Sequence, residues 1–382
     1  MTVPPPLALY IHIPWCERKC PYCDFNSHEQ FDIAVEEPYV TALFNDLDQQ
    51  LAWVDNRHVN SIFFGGGTPS LFSARAIDRI LQGISKRLSL SDSCEITLES
   101  NPGSAEANKY QAYRQSGVNR LSIGVQSFND KQLSRLGRVH SGQEARGAIA
   151  MAQRAGFKRL NVDLIFGLPE QRVQQALADL TLALDLGIDH LSWYQLTIER
   201  NTAFWSAPPS LPASDLIDQM QRQAEHLLNK HGLKQYEISA WSSDGEASVH
   251  NLNYWRFGDY LAIGAGAHGK VTNSSGAHRF KRTRMPQHYL EQFAAPVENA
   301  IPPIFHRVPD VDIPSEFMMN ALRLKNGVET PLYEAMTGLP LLTIASQWEA
   351  LQRKGLMISR RDRLATTQTG YRFLDDVIEA FV

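Results

Sequence analysis

The chain has 382 residues, of which 43% are apolar and 20% charged, and its formal net charge is −4. This length exceeds one ordinary domain, and the composition is that of a globular protein with a sizeable core. The slightly acidic balance gives no reason to expect a nucleic-acid partner. No secretory signal is present, and no apolar run approaches the roughly 18 residues that span a bilayer. We therefore expect a cytoplasmic protein without a transmembrane segment.

Three of the four cysteines, Cys16, Cys20 and Cys23, lie in one loop that directly follows an apolar run. Converging thiolates of this kind indicate a soft metal centre. An iron–sulfur cube is normally held by four cysteines, so three would leave one iron open to a small molecule. A structural zinc site would need a fourth ligand, and His12 and His28, the nearest candidates, lack the customary spacing. The spacing therefore favours a 4Fe-4S cluster.

The fourth cysteine, Cys94, stands just before an apolar stretch and reads as a buried small side chain. Four cysteines, three of them clustered, fit a reducing compartment better than a disulfide scaffold.

Strand-like and helix-like stretches alternate after the cysteine loop. Strands are predicted over 7–13, 61–64, 95–99, 120–126, 160–166 and 190–198, and helices over 37–53, 74–89, 104–115, 130–136, 142–155, 172–186 and 213–230. Such repeated units predict a parallel sheet with helices outside. The right-handed crossover rule makes a (β/α) barrel, open or closed, the natural arrangement.

The pattern within the strands indicates a partial barrel of six units with a polar interior. In 120–126, Leu121, Ile123 and Val125 point one way, whereas Gln126 and the small residues point the other. Branched aliphatic side chains would fill a closed barrel instead. Each polar residue could also be an isolated buried hydrogen-bonding group. Three neighbouring strands share the pattern, however, which favours a wet lumen that holds a cofactor.

Beyond residue 200 the alternation weakens. Residues 236–241 are predicted as an edge strand, 250–255 as an aromatic-rich segment with an exposable imidazole, and the basic run 281–284 as solvated surface. Pro302 and Pro303 indicate a boundary, which divides the chain into 1–300 and 301–382. Helices predicted over 315–325, 330–337 and 341–354, followed by a charged turn, give the second part a mainly helical, winged-helix-like pattern without a concentrated basic face.

The spacing C-x3-C-x2-C, with Tyr22 before the third cysteine, resembles the signature of the radical S-adenosylmethionine superfamily. The resemblance implies a TIM-like partial barrel, a 4Fe-4S cluster on the three cysteines and S-adenosylmethionine on the open iron. It also implies that the glycine-rich segment, the polar residues at the strand ends and two tyrosines contact the cofactor. These positions are Gly66, Gly67, Thr68, Glu99, Gln126, Arg138, Asp163, Tyr10 and Tyr22.

Five segments together look like the oxygen-independent coproporphyrinogen III oxidase group. They are 10–16, 65–69, 124–128, 163–169 and 250–255. Within that group they look like the heme chaperone branch, because the oxidase carries a further cysteine where this chain has Phe25 and has a longer segment before Cys16. Taken alone, a histidine beside aromatic residues is more often structural. The motif His-Asn-x-x-Tyr-Trp resembles the heme-binding motif of the chaperones and implies that His250 is an axial heme ligand.

The resemblance therefore implies a heme chaperone that binds a 4Fe-4S cluster, S-adenosylmethionine and heme. It would deliver heme to acceptor hemoproteins such as membrane-bound respiratory enzymes, as a monomer or homodimer. Two other classes stay open: an enzyme that oxidatively decarboxylates coproporphyrinogen III, and a radical enzyme acting on RNA. The acidic net charge and the absence of a basic, aromatic-studded stripe count against RNA.

Overall fold

A twelve-stranded sheet organises the protein, whose computed structural model describes residues 4–103, 107–295 and 305–382. Six neighbouring strands lie in chain order and pair in parallel. They are β1 (Leu7–Ile13), β2 (Val59–Gly66), β3 (Leu90–Ser100), β4 (Arg120–Gln126), β5 (Arg159–Phe166) and β6 (His190–Gln195). The predicted α/β class with a parallel sheet is confirmed.

Helices connect these strands, as the alternation predicts. They are α1 (Glu36–Asp48), α2 (Ala74–Ser85), α3 (Tyr110–Gln115), α4 (Asp130–Arg135), α5 (Gly142–Arg154) and α6 (Val173–Asp185), with α7 (Ala203–Ser206) and α8 (Ser214–Lys230) after the sixth strand. Their starts carry ordinary capping chemistry. Ser73 accepts a hydrogen bond from the backbone N–H of Ala76, and Ser141 forms a capping box with Glu144.

Several elements are shorter than predicted, among them the helix predicted over 74–89, which ends at Ser85. The first helix ends at Asp48, because Gln50 turns inward and its amide donates hydrogen bonds to the Asp46 side chain and the Ala262 carbonyl. The sixth strand ends at Gln195 instead of continuing to residue 198. The beginning of the helix predicted over 104–115 lies outside the described residues.

Further strands extend the sheet on both sides. On one side lie β7 (Lys234–Glu237) and β8 (Ala240–Ser242), a hairpin where one edge strand was predicted. Beside the first strand lie β9 (Asp259–Ile263), β10 (His268–Asn273), β11 (Gly276–Lys281) and β12 (His306–Arg307). All of these added strands pair antiparallel except β9, which pairs with β1 in parallel. The two edge strands, β12 and β7, do not pair with each other in the described part of the chain, so the sheet remains open.

The alternation in the strands separates core from lumen. Leu121, Ile123 and Val125 are fully buried in the main apolar cluster with residues of the surrounding helices. Glu99 and Gln126, on the opposite parity, line a cavity at the ends of the strands. The predicted polar interior is thus present.

A second apolar cluster belongs to the C-terminal part. Helix α9 (Val249–Trp255) contributes to it, whereas α10 (Pro286–Gln292) packs in the main apolar cluster. The elements after the boundary are α11 (Ile313–Ala321), β13 (Val328–Glu329), α12 (Pro331–Thr337), α13 (Ala345–Arg353), β14 (Arg363–Leu364), α14 (Gln368–Arg372) and α15 (Leu374–Glu379). The helices and the small antiparallel pair β13–β14 agree with the winged-helix-like prediction. Phe257, which follows α9, packs in this cluster against Phe317. The predicted boundary at residues 300–301 lies outside the described residues.

The basic run 281–284 was predicted to be solvated surface, but one of its residues, Arg282, is buried. Arg282 is 4% exposed, and its Nη2 lies 2.5 Å from Oδ1 of Asp46 on α1. Oδ2 of Asp46 accepts a hydrogen bond of 2.7 Å from the hydroxyl of Tyr289. A partner distant in sequence explains this error, since the local charge pattern carries no sign of it.

Among the described residues, no helix combines the length and apolarity required to cross a bilayer.

Replacing Asp46 with alanine leaves the Arg282 guanidinium buried without its carboxylate. We expect a loss of about 3–5 kcal/mol in the free energy of unfolding, measured by urea denaturation. Asp48 on the same helix pairs with Arg87 at the surface, so Asp48→Ala is the matched control and should cost about 1 kcal/mol or less. Equal losses in the two variants would contradict the structural role of the buried pair.

Candidate cofactor site

A cavity of about 370 Å³ opens at the carboxyl ends of the parallel strands. Eleven of the thirteen residues that the sequence singled out line it. They are Cys16, Cys20, Tyr22, Cys23, Gly66, Gly67, Thr68, Glu99, Gln126, Arg138 and Asp163. Parallel strands bring their carboxyl ends to one edge, which is why residues so far apart in the chain meet here.

The cysteine loop is held in place by backbone pairing. The N–H of Cys16 donates to the carbonyl of His28, and the N–H of His28 donates to the carbonyl of Pro14. Within the loop, the N–H of Cys23 donates to the carbonyl of Cys20. These bonds fold the segment back on the end of β1 and turn the half-buried thiols toward the cavity.

The donor set fits a cluster better than a single ion. Within the described ranges, no three His, Cys, Asp or Glu side chains are grouped so that they could hold one metal ion. This counts against the zinc alternative, since structural zinc needs four ligands around one atom. In a cube each cysteine binds a different iron, so the thiols need not converge on a single point.

The thiols of Cys16 and Cys23 favour the protonated form before metal binding. Burial raises the pKa of Cys16, although the hydroxyl of Thr68 opposes the shift through a 3.4 Å hydrogen bond to its sulfur. Burial raises the pKa of Cys23 as well. Cluster binding would therefore release protons from these residues.

The glycine-rich segment allows a close approach between β2 and the cysteine loop. The N–H of Gly67 donates to the carbonyl of Ile13, and the N–H of Thr68 donates to the carbonyl of Trp15. A Cβ at Gly67 would lie 2.4 Å from that Trp15 oxygen, and Gly66 has a φ of +110°. Only glycine fits both demands. The segment leaves a surface free of side chains that a small molecule could contact.

Two carboxyl groups face each other across the lumen. Burial, and then the charge of Asp163, raises the pKa of Glu99 to about 8. Burial also raises the pKa of Asp163, although hydrogen bonds from Asn161 and Ser122 oppose that shift. Without a cation between them, at least one of these groups stays protonated near neutral pH.

Arg138 brings a positive charge to the other side of the cavity. Its guanidinium donates hydrogen bonds of 2.7 Å to Oδ1 of Asn101 and 2.8 Å to the carbonyl of Gly124, and its Nη1 lies 3.5 Å from Sγ of Cys20. The positive guanidinium of Arg138 beside the thiols suits both a thiolate-bound cluster and a ligand carboxylate.

Gln126, at the end of β4, has a φ of +67°, a conformation that is rare outside glycine.

The sequence interpretation missed several residues of the cavity. Asn101 links Arg138 to Thr68, because its amide also donates a 3.1 Å hydrogen bond to the Thr68 hydroxyl. Tyr194, near the end of β6, and Glu199, beyond it, line another part of the wall. The position of Glu199 just beyond the strand predicted over 190–198 was the available signal.

Two predicted site residues lie outside this cavity. Tyr10 lines a neighbouring, larger cavity, and its hydroxyl is 3.0 Å from Nδ1 of His12. His250 is only 1% exposed, so the expectation of an exposable imidazole is wrong for this structure. Its Nδ1 is hydrogen-bonded to the Ser61 hydroxyl at 2.9 Å and its Nε2 to the Tyr254 hydroxyl at 3.0 Å.

The start of α9 explains why His250 is buried. The carboxylate of Glu95 on β3 accepts hydrogen bonds from the backbone N–H groups of Val249 and His250. Burial would raise the pKa of Glu95, but Arg120 and Arg159 and these N–H groups lower it below its ordinary value. This anchored helix start fixes the imidazole inside the sheet, and burial lowers the pKa of His250 to about 3.

The raised pKa of Glu99 predicts a pH-dependent stability. Its carboxyl holds a proton in the folded protein up to about pH 8, against an ordinary value of 4.5. The stability contributed by that proton is complete below pH 4.5 and is lost as the pH rises through 8. The melting temperature of cluster-free wild type should therefore fall relative to Glu99→Gln between these limits. The control variant is Glu291→Gln, an exposed change on α10, and the melting temperature of wild type should not fall relative to it over this pH range. An equal fall relative to Glu291→Gln would contradict the assignment.

Comparison with known proteins agrees with this geometry. The family model of the radical SAM superfamily matches residues 10–183, and that of the HemN C-terminal domain matches residues 308–373. The chain shares its fold with coproporphyrinogen III oxidase (HemN) from Escherichia coli, with a TM-score of 0.81 over 99% of this chain and 90% of that one at 20% identity.

Two bacterial relatives cover the whole chain. One is the heme chaperone HemW of Escherichia coli, 45% identical over 379 residues, 99% of this chain and 98% of its own length. The other is the heme chaperone HemW of Haemophilus influenzae, 44% identical over 384 residues with the same coverage. With the thiol loop, the glycine segment and the polar strand ends in place, the chain belongs to the HemW family within the radical SAM superfamily.

Proposed function

We propose that this protein is a cytoplasmic heme chaperone that binds a 4Fe-4S cluster, S-adenosylmethionine and heme, and delivers heme to acceptor hemoproteins such as respiratory enzymes. One observation carries the proposal. Eleven expected cofactor residues face a single cavity in a chain that aligns over 99% of its length with proteins named heme chaperones.

The residues of the cavity divide by chemistry. Cys16, Cys20 and Cys23 would hold the cluster, which supplies one open iron and a source of single electrons when bound. Arg138 suits the carboxylate of S-adenosylmethionine through charge-assisted hydrogen bonds. Glu99 suits an amine or ribose hydroxyls once it loses its proton.

The walls of the cavity have their own part in binding. Gly66 and Gly67 allow close backbone contact with the methionine moiety, and Tyr22 closes the loop side. Tyr22 packs against Phe204 of α7, with ring centroids 6.4 Å apart, and so shields that side from water.

Cluster binding can be tested through iron and sulfide content. Anaerobically reconstituted wild type should hold about four irons per chain. Cys20→Ala should lose most of this iron, because one corner of the cube loses its thiolate. Cys94→Ala is the matched control, since Cys94 is buried in the apolar cluster away from the loop. Loss of iron in Cys94→Ala, or full retention in Cys20→Ala, would contradict the assignment.

Heme binding defines the proposed function, and its axial ligand remains a prediction. His250 offers iron no free nitrogen in this conformation, because Tyr254 and Ser61 occupy both. Its use as a ligand requires the Tyr254 hydroxyl to move away. A heme titration of His250→Ala tests this role: a loss of the axial imidazole signature in the absorption and resonance Raman spectra would support it, and an unchanged spectrum would remove His250 as a ligand.

The decisive experiment is heme transfer. Anaerobically purified protein with its cluster should bind heme in about a one-to-one ratio and pass it to an apo-hemoprotein, followed by the spectrum of the acceptor. Failure to bind or transfer heme would overturn the proposal. Conversion of coproporphyrinogen III to protoporphyrinogen by the same preparation with a reductant would instead favour the oxidase.

A further inference from the structure

Both side-chain oxygens of Asp163 accept hydrogen bonds from groups inside the barrel. The Asn161 amide donates to Oδ1 at 2.8 Å, and the Ser122 hydroxyl donates to Oδ2 at 2.9 Å. Asn161 precedes Asp163 by two residues on β5, and Ser122 lies opposite Asn161 on β4. The amide also donates to the Ser122 hydroxyl at 2.7 Å. These three side chains form a closed triangle, which fixes the plane of the Asp163 carboxyl and favours its ionised form.

The orientation of the Asn161 amide follows from its neighbours. Its Oδ1 accepts a 3.0 Å hydrogen bond from the Ser192 hydroxyl and lies 2.7 Å from Nδ1 of His190, both on β6. An amide oxygen turned toward Asp163 would face a carboxylate oxygen without a hydrogen bond, so the amide nitrogen must lie on that side. Because Oδ1 can only accept, Nδ1 of His190 carries a proton and donates it.

His190 is buried, and both of its ring nitrogens are engaged. Burial, followed by the charges of Arg120 and Arg159, lowers the pKa of His190, so its imidazole is neutral at pH 7 and has a single N–H. Since this N–H lies on Nδ1, Nε2 must accept the 2.9 Å hydrogen bond from the Tyr236 hydroxyl. A chain of donors therefore runs in one direction, from Tyr236 through His190 and Asn161 to Asp163.

Tyr236 lies on the edge strand β7, which contacts the C-terminal part of the protein. The Tyr236 carbonyl accepts a 3.0 Å hydrogen bond from the N–H of Lys325, and Glu237 forms an isolated β-bridge with Leu324. Both partners follow α11. The chain of hydrogen bonds thus begins beside the C-terminal part and ends in the cofactor cavity.

We propose that Asn161 and His190 are positioning residues that orient Asp163 toward S-adenosylmethionine, with Tyr236 fixing the tautomer of His190. The inference rests on the proposed function, in which this cavity binds S-adenosylmethionine, and it adds residues that act from behind the cavity lining. A carboxylate held by two donors keeps one geometry before the ligand arrives, so binding requires no rearrangement of this side chain.

The first test measures the Kd for S-adenosylmethionine by equilibrium dialysis on anaerobically reconstituted protein with its cluster. Asn161→Leu, which removes both amide donors at similar volume, should raise the Kd about tenfold, and the smaller change Ser122→Ala about threefold. The control is Thr97→Val on β3. Thr97 is fully buried, and its hydroxyl makes no hydrogen bond within the described ranges, so the Kd should match wild type. Equal iron content in the four proteins would show that the fold is intact.

A double-mutant cycle shows whether Asn161 acts through Asp163. In an Asp163→Ala background, the further change Asn161→Leu should alter the Kd less than about twofold, because the carboxylate that Asn161 orients is absent. A general disturbance of the strands would raise the Kd by the same factor in both backgrounds, and that result would overturn the positioning role.

Nitrogen NMR of cluster-free protein labelled with ¹⁵N-histidine reads the direction of the chain. The His190 signals, identified by their loss in His190→Asn, should show a protonated Nδ1 and an unprotonated Nε2 at pH 7. Tyr236→Phe should shift the Nε2 signal and raise the Kd for S-adenosylmethionine about twofold to threefold. The control Tyr333→Phe removes a hydroxyl that is hydrogen-bonded to Thr343 in the C-terminal part and should do neither. A proton on Nε2 of His190 would overturn the proposed direction.

These outcomes separate the positioning role from the proposed function. If wild type binds S-adenosylmethionine and Asn161→Leu and Ser122→Ala bind it equally well, the positioning role is overturned and the cofactor assignment stands. If wild type with its cluster binds no S-adenosylmethionine, the cofactor part of the proposed function fails, and the positioning role fails with it.

Discussion

The approach of the glycine segment to the cysteine loop is the constraint on which the site depends. The N–H groups of Gly67 and Thr68 bind the carbonyls of Ile13 and Trp15, and a side chain at Gly67 would collide with the second carbonyl. Because β1 and β2 are neighbours in the sheet, this contact fixes the thiol loop directly above the strand ends. The other polar residues then need only lie at the ends of later strands to face the same space.

Buried charge pairs hold the added strands against the parallel sheet. Asp46 on α1 joins Arg282 after β11, and Asp259 on β9 pairs with both Lys270 and Arg57 at 2.9 Å and 2.7 Å. Each pair is almost without exposure. Removing one member of such a pair would leave the other charge buried without a partner. These contacts therefore fix the position of the β9–β11 region, which forms a wall of the larger cavity.

Most of the cofactor cavity could be predicted from the sequence because its signals are local. The three thiols follow one strand within a short loop, Glu99 and Gln126 stand where strands end, and Asp163 shares the polar face of its strand. A parallel sheet converts those positions into one edge. Asn101 escaped notice because its role comes from two side-chain hydrogen bonds rather than from a pattern.

The sequence did not indicate the second cavity, because its lining comes from segments that are distant in the chain. Its lining combines β1, α9 and the segment after β11, which only the parallel pairing of β9 with β1 brings together. The burial of His250 depends on Ser61 and Tyr254, and that of Arg282 on Asp46. Such pairings between distant segments leave no periodicity to read.

The wall of Phe25, Gly66 and Glu99 belongs to both cavities. A molecule that displaces this partition, or draws the proton from Glu99, alters the surface offered to whatever lies on the other side. Thermodynamic linkage makes that influence mutual: one occupant must change the affinity of its neighbour by the factor that it experiences in return. A thin shared boundary would thus couple any ligands that the two cavities bind, without a hinge or a moving domain.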